Sequence, residues 1–324
     1  MYKKILKKIK EYETIVIARH IGVDPDAMAS ELALRDIIRY NFPNKNVYAV
    51  GAGSAKFNYI GQLDKKYERN NLEETLLIIV DTPDRKRVDI DSFDSYKEMI
   101  KIDHHPYIET FCNIEKIDET KSSASEMIFD FVKETKLPIT KDIAEKLFIG
   151  IISDTERFMF DNSRPETFIT VANLIKDYNL NITEIYNKIY SRPLNEVKFY
   201  GYLINNMVVT ENGLGYVKVT KEIINEYKID SASAGNMINQ FNFINELLVW
   251  ATISEDVRNN CIRVSMRSRG PVINKAAEKY NGGGHKLAAG ARVRSFEDAE
   301  LLIKQLDELC KDYKLKSGEN NENR

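Results

Sequence analysis

Four pieces of this chain carry histidines and aspartates in patterns that are typical of divalent metal sites. They are the run His20 to Asp26, with one histidine and two carboxylates, the triplet Asp103-His104-His105, and two single aspartates near the ends of apolar runs, Asp81 and Asp154. Imidazole and carboxylate ligands without thiolate suit Mn²⁺ or Mg²⁺, and also Co²⁺, better than a structural zinc. The residue types therefore predict that the four pieces converge on a pair of divalent metal ions.

The chemistry that this ligand set favours is the hydrolysis of phosphate esters. The spacing of Asp24 and Asp26 puts two carboxylates on one side of an extended loop, so each can reach a different ion while a third carboxylate bridges them. Two ions roughly 3.5–4 Å apart activate a bridging water and clamp the attacking and leaving oxygens of a phosphoryl ester. A lone histidine is more often structural than a ligand, but each of the four in this chain lies beside a carboxylate or a glycine motif.

Apolar runs of strand length precede three of these pieces. The runs Thr14 to Ala18, Leu76 to Val80 and Met99 to Ile102 lead into the first histidine, Asp81 and the triplet, and a helical pattern from Ala27 to Tyr40 follows the first. Continuous apolar runs are typical of strands buried on both faces of a parallel sheet. Open parallel sheets bind ligands at the carboxyl ends of their strands. The pattern predicts an α/β fold that aligns these ends along one edge.

Two predicted helices lie close to the candidate ligands in sequence. The segment 123–126 has a serine cap and exposed amide donors before a helical run, so it is either a simple cap or a holder of neighbouring metal ligands. A strongly apolar helix from Asp142 to Ile152 ends near Asp154. An aspartate just beyond such a helix is often a surface residue, but this boundary allows it to turn inward.

The C-terminal part alternates strands with helices and carries a basic, glycine-rich segment. Seven basic side chains and one acid, Glu278, lie between Val257 and Lys286, around the triple glycine 282–284. Glycines expose backbone amides and arginines add bidentate donors, which favours a phosphate-binding surface over a solvated basic face. The predicted strands are 216–219, 247–253 and 261–266, and a predicted helix follows at 272–280. Residues alternate along the strand that begins at 261. Ile262, Val264 and Met266 face one side, and Arg263, Ser265, Arg267 and Arg269 face the other.

Bulk properties limit the classes of protein that this chain can be. The 324 residues are 43% apolar and 30% charged, with a formal net charge of −2. Such a charge favours neither long duplex nucleic acid nor a membrane as partner. No apolar run approaches the ~20 residues of a membrane span, and the N-terminus lacks a signal peptide. Three distant cysteines suit a cytoplasmic protein.

The predicted domains are 1–190 and 197–313, with a linker at 191–196 and a disordered tail at 314–324.

Taken together, these motifs resemble the DHH/DHHA1 family of phosphoesterases, and within it most closely the group of bifunctional oligoribonucleases and pAp phosphatases called NrnA. The resemblance covers nearly the whole length, and the ordered set is highly specific, whereas any single piece is weak. Val23 departs from the family pattern, in which a proline commonly precedes the first aspartate. The motifs that carry the resemblance are His20, Asp24, Asp26, Asp81, Asp103-His104-His105, Asp154, Ser265-Met266-Arg267-Ser268 and Gly282-Gly283-Gly284-His285.

The resemblance implies a DHH domain with a mostly parallel sheet flanked by helices, a smaller α/β DHHA1 domain, and an active site in the cleft between them. It implies two divalent ions, with Mn²⁺ as the leading choice and Mg²⁺ or Co²⁺ as alternatives. Hydroxide between the ions would attack phosphorus, with His105 facing the scissile phosphate and Asp103 fixing a histidine tautomer. The implied ligands are His20 and Asp24 for one ion, Asp26, His104 and Asp154 for the other, and Asp81 for both.

The resemblance also places substrate binding partly in the second domain. Its arginine and glycine–histidine motifs would hold a terminal phosphate or nucleotide. Arg269 joins this set because it lies on the same predicted strand face as Arg267. The predicted substrate-binding residues are His105, Arg267, Arg269, Gly283, Gly284, His285 and Ser125.

The leading hypothesis is an enzyme that degrades very short RNA to mononucleotides and acts on 3′-phosphoadenosine 5′-phosphate (pAp). A stand-alone cyclic di-AMP phosphodiesterase shares every motif, so the sequence separates the two poorly. A RecJ-like exonuclease or a family II pyrophosphatase fits less well, because the chain is too short for the first and the second would lack the glycine–histidine motif. A non-catalytic nucleotide-binding protein is the alternative from another class. The oligomeric state stays open, with a homodimer as one option.

Overall fold

The computed structural model describes residues 1–65, 67, 71–230, 235 and 237–322. The chain divides into two compact units, the first spanning Met1–Ser191 and the second beginning at Arg192. This division falls inside the linker that the sequence predicts at 191–196. Each unit has its own sheet and its own apolar core, so each is described separately.

The first unit contains a sheet of five parallel strands in the order β2-β1-β3-β4-β5. Its register pairs Ala18 with Ile79 and Val80 with Ile102, which aligns the carboxyl ends of β1, β3 and β4. The order reverses between β1 and β3, and doubly wound sheets bind ligands at such a reversal. The strands are β1 (Thr14–Ala18), β2 (Asn46–Ala49), β3 (Thr75–Val80), β4 (Glu98–Asp103) and β5 (Ile114–Ile117).

Helices cover one face of this sheet and loops cover the other. Ile15, Ile17 and Ile78 pack against the helical layer, whereas Val16 and Leu77 pack against loop residues of the opposite core. All six residues of β3 are buried, as its continuous apolar sequence predicts. The helices of the unit are α1 (Tyr2–Glu11), α2 (Pro25–Asn41), α3 (Ala124–Thr135), α4 (Lys141–Asp154), α5 (Pro165–Tyr178) and α6 (Ile182–Tyr190).

The second unit contains a mixed six-stranded sheet in the order β10-β11-β9-β8-β7-β6, in which only β7 and β8 pair in parallel. Its strands are β6 (Val208–Val209), β7 (Leu214–Val219), β8 (Val249–Asp256), β9 (Cys261–Ser268), β10 (Gly283–His285) and β11 (Ala288–Val293). Its described helices are α7 (Leu194–Asn205), α8 (Lys221–Tyr227), α9 (Asn274–Glu278) and α10 (Phe296–Glu322).

The predicted alternation along β9 is confirmed. Ile262, Val264 and Met266 are buried in the core that α9 and α10 complete, and the intervening side chains are partly exposed. A separate core joins β7 and β8 to α7 and α8. The fold class predicted from the sequence is thus confirmed in both units.

Three details differ from the sequence-based expectation. The last two residues of the triple glycine 282–284 lie in β10, which pairs with β11, at a position where the sequence predicts no strand. The sequence predicts no strand at β5, because this segment has no continuous apolar run. The last helix extends through Glu322 where a disordered tail is predicted from 314, and residues 323 and 324 lie outside the described part. No helix of the described residues is both long and apolar enough to cross a bilayer.

Candidate metal centre and phosphate-binding face

The ends of β1, β3 and β4 meet the end of α4 at one edge of the parallel sheet, and there the predicted metal ligands come together. Among the described residues, three groups of histidine and carboxylate side chains have ligand atoms that lie within 4.8 Å of one another. The groups are His20, Asp24 and Asp81; Asp26, His104 and Asp154; and Asp81, His104 and His105. Ligands that are more than 130 positions apart in sequence thus share one site.

Asp81 lies between the groups. It is 1% exposed, and its Oδ2 is 3.4 Å from His20 Nε2 while its Oδ1 is 3.3 Å from His104 Nε2. Its backbone is left-handed (φ 52°), a conformation that aspartate tolerates better than most residues. Within the described residues, no hydrogen bond reaches the buried Oδ1. A buried carboxylate oxygen that lacks a hydrogen bond is expected where the carboxylate is a shared ligand of two cations.

Backbone carbonyls orient both histidines that flank Asp81. The Nδ1 atom of His20 lies 3.0 Å from the carbonyl oxygen of Ile21, and that of His104 lies 3.3 Å from the carbonyl oxygen of Lys121. A ring that donates from Nδ1 in this way leaves Nε2 unprotonated and available to a metal ion. In His104 that nitrogen is also 3.4 Å from Asp154 Oδ2.

The start of α3 holds Asp26 in place. The amides of Ala124 and Ser125 donate to the two Asp26 oxygens at 2.7 and 3.0 Å, and Asp26 is 1% exposed. The side chain of Ser123 caps the same helix by accepting from the amide of Glu126. Both readings of the sequence therefore apply: the segment caps α3 and also binds a neighbouring candidate ligand.

Gly150 lets α4 approach this carboxylate closely. A Cβ atom at this position would lie 2.6 Å from Asp26 Oδ1 and closer still to Ser125 Oγ. Contacts this short do not occur between real side chains, so any larger residue must displace Asp26, Ser125 or the helix. Asp154 is the last residue of α4, one turn beyond Gly150.

The electrostatics of the cluster are those of crowded, buried carboxylates. Burial, reinforced by Asp81, raises the pKa of Asp26 to about 7, and burial, reinforced by Asp26, raises the pKa of Asp154 to about 8. Burial opposes ionisation of Asp81, but the close imidazoles of His104 and His20 outweigh it and hold its pKa below the ordinary range. A divalent cation would relieve the repulsion between these carboxylates, so the donor set fits a metal site.

His105 is oriented by a buried pair on β4. Its Nδ1 atom lies 2.8 Å from Asp103 Oδ1, which leaves Nε2 free of that contact. Lys101 is fully buried two residues earlier on the same strand face, with its ammonium 3.7 Å from Asp103 Oδ2 and 3.1 Å from the carbonyl oxygen of Pro83. Its ammonium also lies 4.8 Å from the centre of the Phe111 ring.

The predicted substrate-binding residues of the second unit lie on or next to β9 and β10, the two strands that flank β11. Arg267 lies on β9 and donates from Nε to Asn239 Oδ1, and Arg269 follows β9, donating to the carbonyl oxygen of Asn242 and stacking 5.9 Å from the Trp250 ring. The second arginine is thus already engaged by its own unit. Gly283, Gly284 and His285 form β10.

Sequence reasoning did not assign roles to Gly150 or Lys101. Lys101 can be recognised in the sequence, because a lysine inside an otherwise apolar strand must be buried and therefore needs a partner. Gly150 gives a weaker signal, because a glycine inside a strongly apolar helix costs stability unless close packing requires it. Their contacts with Asp103 and Asp26 supply those reasons.

Comparison with known proteins gives matches over almost the full length. Residues 14–151 match the family model described as DHH family, N-terminal domain, and residues 214–312 match the one described as DHHA1 domain. A Bacillus subtilis (strain 168) protein named Bifunctional oligoribonuclease and PAP phosphatase NrnA is 34% identical over 316 residues, covering 97% of this chain and 100% of the relative. A Streptococcus mutans protein named Probable bifunctional oligoribonuclease and PAP phosphatase NrnA is 33% identical, covering 96% of this chain and 99% of the relative.

A solved structure has the same fold. The exopolyphosphatase-related protein from Bacteroides fragilis superposes with a TM-score of 0.81 over 96% of this chain and 97% of that one. The two sequences are 23% identical, so this likeness bears on the fold alone.

Proposed function

This chain belongs to the DHH/DHHA1 family of phosphoesterases, and on that premise we propose that it hydrolyses very short RNA oligonucleotides to mononucleotides and pAp to AMP. The observation that carries the proposal is the convergence of the ligand groups: two of the three share the buried Asp81, and the third joins them through His104. Relatives with full-length matches are named for these two activities. The bond to be cleaved is a phosphodiester between nucleotides in the RNA and a phosphate monoester in pAp, and such a site can cleave both.

The residues that would hold the ions divide into two sets. His20 and Asp24 serve one ion, and the second group of three serves the other, with the two Asp81 oxygens facing one set each. Mn²⁺ is the proposed ion, because imidazole and carboxylate without thiolate suit it. When bound, the two ions supply activated water and neutralise charge on the phosphoryl group.

The other residues orient and bind. Asp103 holds His105 by its Nδ1, so Nε2 is the ring nitrogen that remains for a substrate. As an imidazolium, with Nδ1 donating to Asp103, His105 would also donate from Nε2 to a phosphoryl oxygen, a contact that strengthens as charge develops. In the second unit, Arg267, Gly283, Gly284 and His285 would bind a terminal phosphate, with the glycines allowing its close approach. The three cysteines are free, which fits the proposed cytoplasmic location.

The test is a side-by-side turnover assay with Mn²⁺ on pApA, a five-nucleotide RNA, pAp and cyclic di-AMP, each with and without EDTA. The proposal requires rapid, EDTA-sensitive cleavage of pApA and the short RNA, release of phosphate from pAp, and negligible opening of cyclic di-AMP. Comparable turnover of cyclic di-AMP would instead identify a second-messenger phosphodiesterase. Binding of these nucleotides without any Mn²⁺-dependent turnover would identify a non-catalytic nucleotide-binding protein.

A further inference from the structure

One face of β9, β10 and β11 lies opposite the apolar core of the second unit, and its register arranges the side chains in rows across the strands. Alternate residues face this side, because their neighbours Val264, Met266 and Ala289 are buried in the core. Successive rows are two residues apart, which is about 7 Å along a strand. The rows are His285, Ala288 and Arg267; Gly283, Gly290 and Ser265; and Arg292 with Arg263.

The middle row forms the floor of an open pocket of about 380 Å³, which Arg263 and Arg292 also line. Every residue of this row is small. At Gly283 an added Cβ would meet no protein atom within 4 Å, and the backbone is not left-handed, so neither packing nor conformation requires glycine there. The fold itself does not need glycine at this position. The open space above it suits a ligand that approaches the backbone closely.

The third row carries an electrostatic cost that the fold does not explain. Arg292 lies directly opposite Arg263 in the antiparallel pair, and like charges in that arrangement destabilise a sheet. A carboxylate beside them, that of Asp256, is 3.8 Å from the Arg263 guanidinium and already accepts from Asn259. Arg292 is exposed and forms no hydrogen bond or ion pair with the described part of the chain. A bound anion would remove this repulsion.

We propose that Arg263 and Arg292 form a second phosphate subsite, separated by about four strand residues, or ~14 Å, from the row that holds Arg267 and His285. The inference rests on the proposed function, since the first row would take the terminal phosphate of the substrate. The second subsite binds a phosphate farther along a longer oligonucleotide. A dinucleotide or pAp is too short to reach both rows, so the subsite adds affinity only for longer chains.

The test compares KM for a five-nucleotide RNA and for pApA in the variants Arg292→Gln and Arg263→Gln. Lys304→Gln is the matched control, because it removes the same charge from α10, on the opposite side of the sheet. Losing one charge-assisted contact should raise KM for the five-nucleotide RNA about tenfold and leave KM for pApA and both kcat values unchanged. The slope of log KM for the RNA against log salt concentration should fall by roughly 0.7 for each arginine removed. The melting temperature of Arg292→Gln should stay equal or rise, since a repulsion is removed.

Equal KM increases for both substrates, or no increase for either, would overturn the second subsite. The same variants also separate this proposal from the proposed function. Anisotropy of a fluorescein-labelled five-nucleotide RNA in EDTA measures binding without turnover. If the wild-type protein hydrolyses nothing but binds this RNA more tightly than labelled pApA, and the arginine variants remove that difference, the function fails while the subsite stands. If the variants bind the RNA as tightly as Lys304→Gln does, the subsite fails whatever the activity.

Discussion

The edge of the parallel sheet and the open face of β9 to β11 solve opposite electrostatic problems. At the edge, the buried carboxylates of Asp26 and Asp81 repel each other and are held by amides and histidines. On the face, arginines such as Arg263 and Arg292 lie opposite one another at the surface. Each arrangement is unfavourable in isolation and becomes favourable with a ligand of the other sign, divalent cations in one case and phosphates in the other.

The two regions differ in how tightly their geometry is fixed. Several contacts at the edge are set by buried neighbours, as with Gly150 against Asp26, so a small displacement spreads through the ligand set. The face is open, and its arginines can adjust their long side chains. We therefore expect substitutions at the edge to lower kcat and metal affinity, and those on the face to raise KM alone.

The largest effect is expected from Asp81→Asn, which keeps the shape of the side chain but removes the charge shared by the two ligand groups. Turnover of pApA with Mn²⁺ should fall by at least about 10³-fold, and calorimetry should find weakened or lost Mn²⁺ binding. Asp91→Asn, an exposed aspartate in the same unit, is the control and should behave as the wild type. Near-normal turnover of Asp81→Asn would show that the edge does not depend on a shared ligand.

Gly150→Ala tests whether close packing fixes the edge. The added methyl group collides with Asp26 and Ser125, so the carboxylate must move, and a shift of about 1 Å can cost about 100-fold in kcat. Gly201→Ala is the matched control, a glycine inside α7 with open space at Cβ, which should leave kcat unchanged and raise stability by about 0.5–1 kcal/mol. The readouts are kcat, Mn²⁺ affinity and melting temperature. A wild-type kcat in Gly150→Ala would mean that Asp26 tolerates displacement.

The sequence predicts the edge more completely than the face, and the reason is physical. Apolar runs that end in aspartate, as at Leu76 to Asp81, specify both a buried strand and the position of its polar end. The parallel register then brings such ends together without further information. The contacts that fix the ligands, such as the amides of Ala124 and Ser125 on Asp26, join elements about 98 positions apart and cannot be read from local pattern.

The face is less predictable because its meaning depends on strand pairing. Alternation along β9 predicts which side Arg263 and Arg267 occupy, and this is confirmed. The pairing of Arg292 with Arg263 follows only once β11 is known to lie beside β9. Likewise, Arg269 shares a predicted face with Arg267, but it lies beyond the end of β9 and contacts Asn242 and Trp250 instead.

Asp103→Asn sharpens the distinction between ligands and their supports within the edge. The carboxylate contacts His105 and belongs to none of the three ligand groups among the described residues, so its loss should lower kcat by about 10- to 100-fold with Mn²⁺ affinity largely kept, as for other residues that orient a ligand. His104→Ala removes a shared ligand and should cost more in both quantities. An equal or greater loss of Mn²⁺ binding in Asp103→Asn would place this carboxylate among the metal ligands.

The smallest effect is expected on the face, where Gly283→Ala and Gly284→Ala form a matched pair of neighbouring substitutions. At Gly283 the methyl group meets no protein atom, so the stability of the fold should be unchanged. The methyl group should obstruct a phosphate that approaches the backbone. KM for pApA should therefore rise about tenfold, which corresponds to the loss of one charge-assisted contact. At Gly284 the backbone is left-handed (φ 135°) and a Cβ would lie 2.5 Å from the carbonyl oxygen of Ala288, so unfolding free energy should fall by about 1–3 kcal/mol. Melting curves and KM measured together separate the two glycines. If Gly283→Ala keeps both its stability and its KM, the open space above the strand is not a phosphate site, and the symmetry between a cation-binding edge and an anion-binding face fails at the face.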